Sequence, residues 1–319
     1  MVVQQQVAVL EQGDAFRDWL VGVLEARVEN PLCRVQVYRI RPASHAVCRY
    51  EFLGEGHSVV GKFFGEPTGR TTAYNTEKAM QNEYRMLQRI AGLIDVPRPI
   101  AMRRDFHAAL VTDYVPGVPL LALLGSEDGL YDPLASVARL QKRLHALTRQ
   151  SCNLEREFAY FHSVLGQNRL DARRHDRFCE LLSKWRDHPL LADMGGCLIH
   201  GDATPANYLF VGDRAYGVDF EHAWECGHPV HDPGIFCAEM KHLFAYRKGS
   251  ARQAEPYIGH FLWHYSGGGE EFYRVTETFP FFLALGYLRI ARLPIHPSHR
   301  ECLIREAEAC LTSGLTLTR

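Results

Sequence analysis

Apolar and polar residues alternate along three short runs near the N-terminus, the pattern of half-buried β-strands. The first is Val35-Gln36-Val37-Tyr38-Arg39-Ile40, the second Ala46 to Leu53 and the third Ser58 to Phe64. Turn-forming segments separate them, Arg41-Pro42-Ala43-Ser44 and Gly54-Glu55-Gly56-His57. The period then lengthens. Good helix formers fill Asn75 to Ile90, with Tyr84, Leu87 and Ile90 on one apolar face. Ala108 to Leu120 reads as a strand running into the Pro116-Gly117 turn. Upstream, Asp14 to Val28 predicts an amphipathic helix with Phe16, Trp19, Leu20, Val23 and Leu24 along one side.

The second half of the chain is patterned mostly for helices. Asp132 to Leu147 spaces Leu134, Val137, Ala138, Leu140, Leu144 and Leu147 at helical intervals, and Asp171 to Trp185 is a second, Arg-rich candidate. Between the helical stretches lie two short apolar runs, Tyr208 to Val211 and Ala215 to Val218, joined by the turn Gly212-Asp213-Arg214. Phe279 to Leu293 is apolar but carries Arg289 and Arg292, which makes it a core helix.

Composition narrows the classes. A chain of 319 residues can bury one large core or two modest ones. A formal net charge of -1 gives no global footprint for nucleic acid. No basic start is followed by a long apolar run, and no stretch approaches the ~20 apolar residues of a membrane span. Nine scattered cysteines without a C-x-x-C pair fit reduced thiols and a cytoplasmic location.

The candidate chemistry sits on these elements. Lys62 falls inside the third apolar strand, where an ammonium must snorkel or meet an anion. An edge-strand lysine facing water is the plainer reading of Lys62 alone. Glu83 lies near the middle of the following helix; Glu77, nearer the helix start, is a rival better read as a helix-end charge. Further on, Ile199-His200-Gly201-Asp202 is followed five residues later by Asn207 and twelve after that by Asp219, with Phe220-Glu221 next. Phosphoryl transfer on a kinase scaffold needs one carboxylate at the attacking hydroxyl, and an amide and a second carboxylate on magnesium. A competing cluster, His222, Cys226, His228, His231 and Asp232, crowds eleven residues, but its spacing matches no common closed zinc site.

These residues resemble the aminoglycoside phosphotransferase and choline kinase superfamily, the small-molecule relatives of protein kinases. The H-G-D-x-x-x-x-N pattern falls on His200, Gly201, Asp202 and Asn207, and the metal-binding Asp with its Phe-Glu on Asp219-Phe220-Glu221. Gly201 stands where a protein kinase usually has Arg, and Glu221 where it has Gly, which favours a small-molecule acceptor. The resemblance runs in order from about Val35 to about Met240. It implies an α+β, bilobal protein-kinase-like fold: a nucleotide-binding lobe over 1–115 with a small antiparallel sheet and an N-terminal helix, and a larger, mostly helical lobe over 116–319.

The same resemblance implies roles. Asp202, Asn207 and Asp219 are the catalytic residues, and Asn207 and Asp219 also the ligands of Mg2+. Lys62 and Glu83 hold the phosphates of ATP, with GTP as the alternative donor. Asp113, Tyr114 and Val115 form the hinge facing the adenine edge. The loop between the first two strands has no glycine, so Ser44 and His45 stand in for the phosphate-cradling loop. His145 is a packing or hydrogen-bonding residue, and Asp232 a cap or anchor beneath the catalytic loop. The acceptor is a small hydroxylated molecule, aminoglycoside-like, an amino alcohol or another metabolite, with Trp224, Glu225, Glu239, Trp263, Tyr265, Glu270 and Glu271 as candidate wall residues. The different-class alternative is a nucleotide-binding pseudokinase with a regulatory or scaffolding role. Oligomeric state is left open.

Overall fold

The computed structural model describes residues 3–65, 75–124 and 129–316. The chain divides into two compact units. The first comprises Met1–Ala122, Leu209–Gly212 and Tyr216–His222, and the second Leu123–Tyr208, Asp213–Ala215 and Ala223–Arg319.

The first unit is built on a six-stranded sheet. Its strands are β1 (Val3–Leu10), β2 (Val35–Arg41), β3 (Ala46–Phe52), β4 (His57–Phe63), β5 (Pro99–Arg103) and β6 (Ala109–Asp113), in the spatial order β1-β2-β3-β4-β6-β5, and every pairing is antiparallel. The alternation read in the sequence is realised in β3, where Ala46, Cys48, Tyr50 and Phe52 face inward. Cys48, Tyr50 and Phe52 join Val35, Val37, Val59 and Val111 in one core that also takes Leu20 and Leu24. Lys62 is paired on both sides, opposite Val47 on β3 and Leu110 on β6, so it belongs to a central strand and not an edge.

Two helices complete this unit. Helix α1 (Ala15–Val23) is capped by Asp14, whose carboxylate accepts the Phe16 and Arg17 amides. It is shorter than its apolar pattern predicts: a 3-10 turn replaces it over Glu25–Arg27, and Val23 is exposed. Arg17 is buried instead, with its guanidinium bonded to the carbonyls of Cys33 and Pro31. Helix α2 (Thr76–Ile90) begins at Asn75, whose side chain accepts the Lys78 amide, and buries Met80, Glu83, Met86, Leu87 and Ile90. A two-residue strand β7 (Val118–Pro119) pairs with Leu209 and Phe210.

The rest is mainly helical. A four-residue helix α3 (Leu120–Leu123) precedes α4 (Tyr131–Leu147), α5 (Leu154–Gln167), α6 (Ala172–Arg186) and the short α7 (Pro189–Asp193). Strands β8 (Cys197–Ile199), β9 (Tyr208–Val211), β10 (Arg214–Gly217) and β11 (Trp224–Gly227) follow. The chain closes with α8 (His231–Lys248), α9 (Glu255–Ser266), α10 (Gly269–Ala291) and α11 (Pro297–Gly314). Within the second unit α10 packs on α8 and α11, and α4 on α9. Glycine permits the α8–α10 approach: a Cβ at Gly286 would sit 2.4 Å from Ala238 Cβ, and one at Gly234 2.3 Å from Phe282 Cβ. An antiparallel sheet near the N-terminus and a helical C-terminal part are the architecture the sequence implied. No described helix is long and apolar enough to cross a membrane.

Candidate active site

Lys62 is the centre of a charged cage in the first unit. Its Nζ donates to Glu83 Oε2 at 2.7 Å and to Asp219 Oδ1 at 2.5 Å, and lies 3.4 Å from Glu221 Oε2. Burial of an unpaired ammonium costs several kcal/mol, and the cage meets that need. Burial alone would lower the Lys62 pKa, but the carboxylates of Asp219, Glu83 and Glu221 outweigh it and raise it. Glu83 rises as well, but here burial is the cause: it pushes the carboxyl up to about 7, against the pull of Lys62. Three acids therefore share one ammonium, and one oxygen from each of Glu83, Asp219 and Glu221 lies within 4.8 Å of the others.

The backbone presents Asp219 in an unusual way. Its φ is 67°, the left-handed region that most side chains avoid, and a 3-10 turn over Phe220–His222 follows at once. That turn packs on α2, where Asn82 Nδ2 donates to the Glu221 carbonyl at 2.9 Å. Burial works against the Glu221 carboxylate, yet hydrogen bonds from His222 and His45 and the charge of Lys62 hold its pKa well below the usual range. His45 Nε2 is 2.7 Å from Glu221 Oε2, and both side chains are buried.

The other sequence candidates of this unit have the following places and partners. Ser44 is exposed in the β2–β3 loop, next to the buried His45. Asp113 ends β6 and accepts from Arg27 at 2.6 Å, while its amide donates to Arg98 O at 2.9 Å. The Tyr114 hydroxyl accepts from Gln4 at 3.0 Å, and the Arg49 guanidinium lies over its ring. The Val115 carbonyl accepts the Gly117 amide at 2.8 Å.

A second constellation forms in the helical unit, on the loop after β8. Asp232, at the start of α8, turns its carboxylate onto that loop and accepts the amides of His200 at 2.7 Å and Gly201 at 3.0 Å. His145 Nε2 lies 3.0 Å from the same carboxylate, and its Nδ1 2.8 Å from the Tyr265 hydroxyl. Asp232 is thus an anchor and not a helix cap; α8 has no side-chain cap. Asn207 Nδ2 donates to Asp202 O at 2.8 Å and Asp202 Oδ2 at 3.2 Å. Arg289 of α10 donates to Gly201 O at 2.8 Å and also to Asp202 Oδ1.

Two predictions arise from these buried acids. Although burial opposes it, the His145 hydrogen bond and the charges of His145, His200 and His231 bring Asp232 to about 2. A depressed carboxylate stabilises above its unfolded value of 3.8 and loses that contribution as pH falls toward 2. Asp232→Ala is expected to destabilise by about 3–5 kcal/mol at pH 7, since it strips partners from buried donors. Urea unfolding checks this, and the gap between variant and wild type should narrow below pH 4.

Glu239, on α8, behaves oppositely. Burial raises it to about 7, against the pull of Arg289 and with the repulsion of Asp202. The folded protein then binds a proton that the unfolded chain releases near 4.5, so stability falls as pH rises toward 7. Glu239→Gln is expected to stabilise by about 1–3 kcal/mol at pH 8 and not at pH 4. Thermal melts at both pH values measure this, and equal effects at the two would contradict it.

The remaining candidates separate by burial. Trp224 is buried edge-on to Tyr160 and His231, and Tyr265 is held by His145 and Pro229. Trp263 is exposed and rests on Phe272. In the histidine- and cysteine-rich segment, His231 Nδ1 lies 2.8 Å from Glu157 and the buried His228 stacks on Phe282. Sequence reasoning missed two partners. Arg289 was legible only as a charge inside an apolar run, and the contact of His45 with Glu221 spans 176 residues.

Each constellation, taken by itself, keeps one hard oxygen without a hydrogen bond among the described residues. Asn207 spends its Nδ2 on Asp202, and its Oδ1 has no hydrogen bond among the described residues. Asp219 gives Oδ1 to Lys62, and its Oδ2 is likewise unengaged there. An amide oxygen and a carboxylate oxygen are ligands that suit magnesium, which keeps several waters of its own.

Comparison with known proteins adds a family. The model of the phosphotransferase enzyme family matches residues 53–272. No curated protein matched the chain. Among solved structures, a choline/ethanolamine kinase family protein from Mesorhizobium loti superposes with a TM-score of 0.63 at 17% identity, over 95% of this chain and 97% of that one. A protein from Ralstonia eutropha assigned as an aminoglycoside phosphotransferase gives 0.60 at 15% identity, over 96% and 98%. The ADP-bound aminoglycoside phosphotransferase APH(2'')-Ib gives 0.53 at 12% identity, over 94% and 97%.

Proposed function

The chain belongs to the phosphotransferase enzyme family, and from that premise we propose that it is a small-molecule kinase. It moves the γ-phosphoryl group of ATP, or of GTP, to a hydroxyl of a small acceptor with Mg2+ as cofactor. The observation that carries this reading is the cage in which Lys62 is held by Glu83 and Asp219, with the Asp202–Asn207 couple on a single loop. The ADP carried by one relative of the same fold supports a nucleotide donor.

In this reading the residues divide the work. Lys62, held by Glu83, grips the α- and β-phosphates. Asn207 Oδ1 and Asp219 Oδ2 would hold the magnesium, which when bound would neutralise charge on the phosphates. Asp202 takes the proton of the acceptor hydroxyl as its oxygen attacks the γ-phosphorus. The bond to the leaving ADP breaks, and the acceptor leaves as its phosphate ester. Little covalent work remains for the protein, so position and electrostatics set the rate. Residues 1–115 serve as the nucleotide lobe and 116–319 as the acceptor lobe. Asp113, Tyr114 and Val115 face the adenine edge, and Ser44 and His45 the phosphates. The His45 ring is engaged by Glu221, so its contact is through the backbone.

The acceptor is aminoglycoside-like, an amino alcohol or another small hydroxylated metabolite. Among the wall candidates Glu239 feels the charges of Arg289 and Asp202, and it suits an acceptor that brings a hydrogen-bond donor. Transfer of label from γ-labelled ATP and GTP to panels of aminoglycosides, amino alcohols and neutral polyols tests the reading. Magnesium-dependent labelling of one panel supports it. Tight nucleotide binding without transfer to any of them favours a regulatory pseudokinase.

A further inference from the structure

Arg289 stands far from the motifs that mark the chemistry, yet it reaches the residue assigned as the base. It lies near the C-terminal end of α10, and its side chain is only 10% exposed. One guanidinium nitrogen donates to Gly201 O at 2.8 Å and another to Asp202 Oδ1. The fork therefore grips the backbone and the side chain of two adjacent loop residues together, which a single-point ammonium cannot do.

The helix that carries Arg289 is placed by its packing. Gly286, one turn earlier, lies against Ala238 and the Gly234 carbonyl of α8 with no room for a Cβ. Helix α8 also carries Asp232, which holds the amides of His200 and Gly201. The loop is thus fixed twice from the same pair of helices, by an acid on its N–H groups and by an arginine on its carbonyl and its carboxylate.

We propose that Arg289 is a positioning residue for Asp202. It fixes the rotamer of that carboxylate, so that Oδ1 is held by the guanidinium while Asn207 holds Oδ2. Its effect on turnover passes through Asp202. The proposal rests on the kinase reading for its rate consequences, but not for its geometry.

The test uses the full chain with MgATP alone, water taking the place of the acceptor, and follows phosphate release. Arg289→Ala, Arg289→Lys, Asp202→Asn and the double variant R289A/D202N are compared. Arg289→Ala is expected to bind MgATP within about 3-fold of wild type and to release phosphate about 10²-fold more slowly, the cost of a misplaced group. Arg289→Lys should recover part of the rate, because it restores one donor and not the fork. The double variant should be no slower than Asp202→Asn, since residues acting as a unit are not additive. Wild-type turnover in Arg289→Ala, or losses that multiply in the double variant, would overturn the proposal. If wild type binds MgATP and releases no phosphate, water does not serve as acceptor, and a crystal structure of Arg289→Ala then decides. Asp202 leaving its rotamer upholds the positioning role, and an unmoved carboxylate refutes it.

Discussion

Asp202→Asn is expected to lower phosphoryl transfer by about 10²–10⁴-fold and to leave MgATP binding within a few fold of wild type. The substitution keeps the shape of the side chain and removes its negative charge, and with it the capacity to take a proton and the ion pair with Arg289. Asp202 belongs to the loop held by Asp232 and Arg289, whereas the proposed grip on the phosphates belongs to Lys62, so rate and nucleotide affinity are expected to separate. Single-turnover transfer to an identified acceptor, or phosphate release with water as acceptor, measures the rate, and calorimetry measures binding. A variant that transfers at wild-type speed would remove Asp202 from the role of base.

Lys62→Met carries the second large effect, and it is double. The Glu83, Asp219 and Glu221 carboxylates, with one oxygen from each within 4.8 Å of the others, would lose their shared cation. Breaking a buried ion pair from one side costs about 3–5 kcal/mol, so the variant should melt lower at pH 7. Its nucleotide-dependent rate should fall by at least about 10²-fold, the order seen when a charge-stabilising donor is removed. Millimolar magnesium should restore more melting temperature to the variant than to wild type, because a divalent cation can take the place of the ammonium among the acids. Equal magnesium shifts in the two proteins would show that the three acids do not act as one group.

What the sequence made legible follows from the range of the interactions involved. Strands β2, β3 and β4 and helix α2 declare themselves because their periodicity is local and each has one buried face. Strand β1 is silent. Gln4, Gln5 and Gln6 stand in a row, and a register shift between Gln6 and Ala8 breaks the alternation. Strand β5 opens on a proline and shifts register between Pro99 and Ala101. Helix α1 ends before its apolar pattern does, because that pattern continues into a 3-10 turn.

The site divides in the same way. Lys62 could be singled out because a lysine inside an apolar strand demands a partner. Asp202, Asn207 and Asp219 stood out by spacing. The residues that hold them in place could not be read. Asp232 binds amides 31 and 32 positions away, and Arg289 binds a carboxylate 87 positions away. Such contacts exist only once Gly234 and Gly286 let two helices approach, and no local pattern encodes them.

The central claim is a magnesium-dependent nucleotide site built on Lys62 and Asp219. Its most direct test is calorimetric titration of wild type and Asp219→Ala with ATP and GTP, each with and without magnesium. The account predicts binding of at least one nucleotide that requires magnesium and is lost in Asp219→Ala. Binding indifferent to both magnesium and the substitution, or no binding of either nucleotide to wild type, would contradict it.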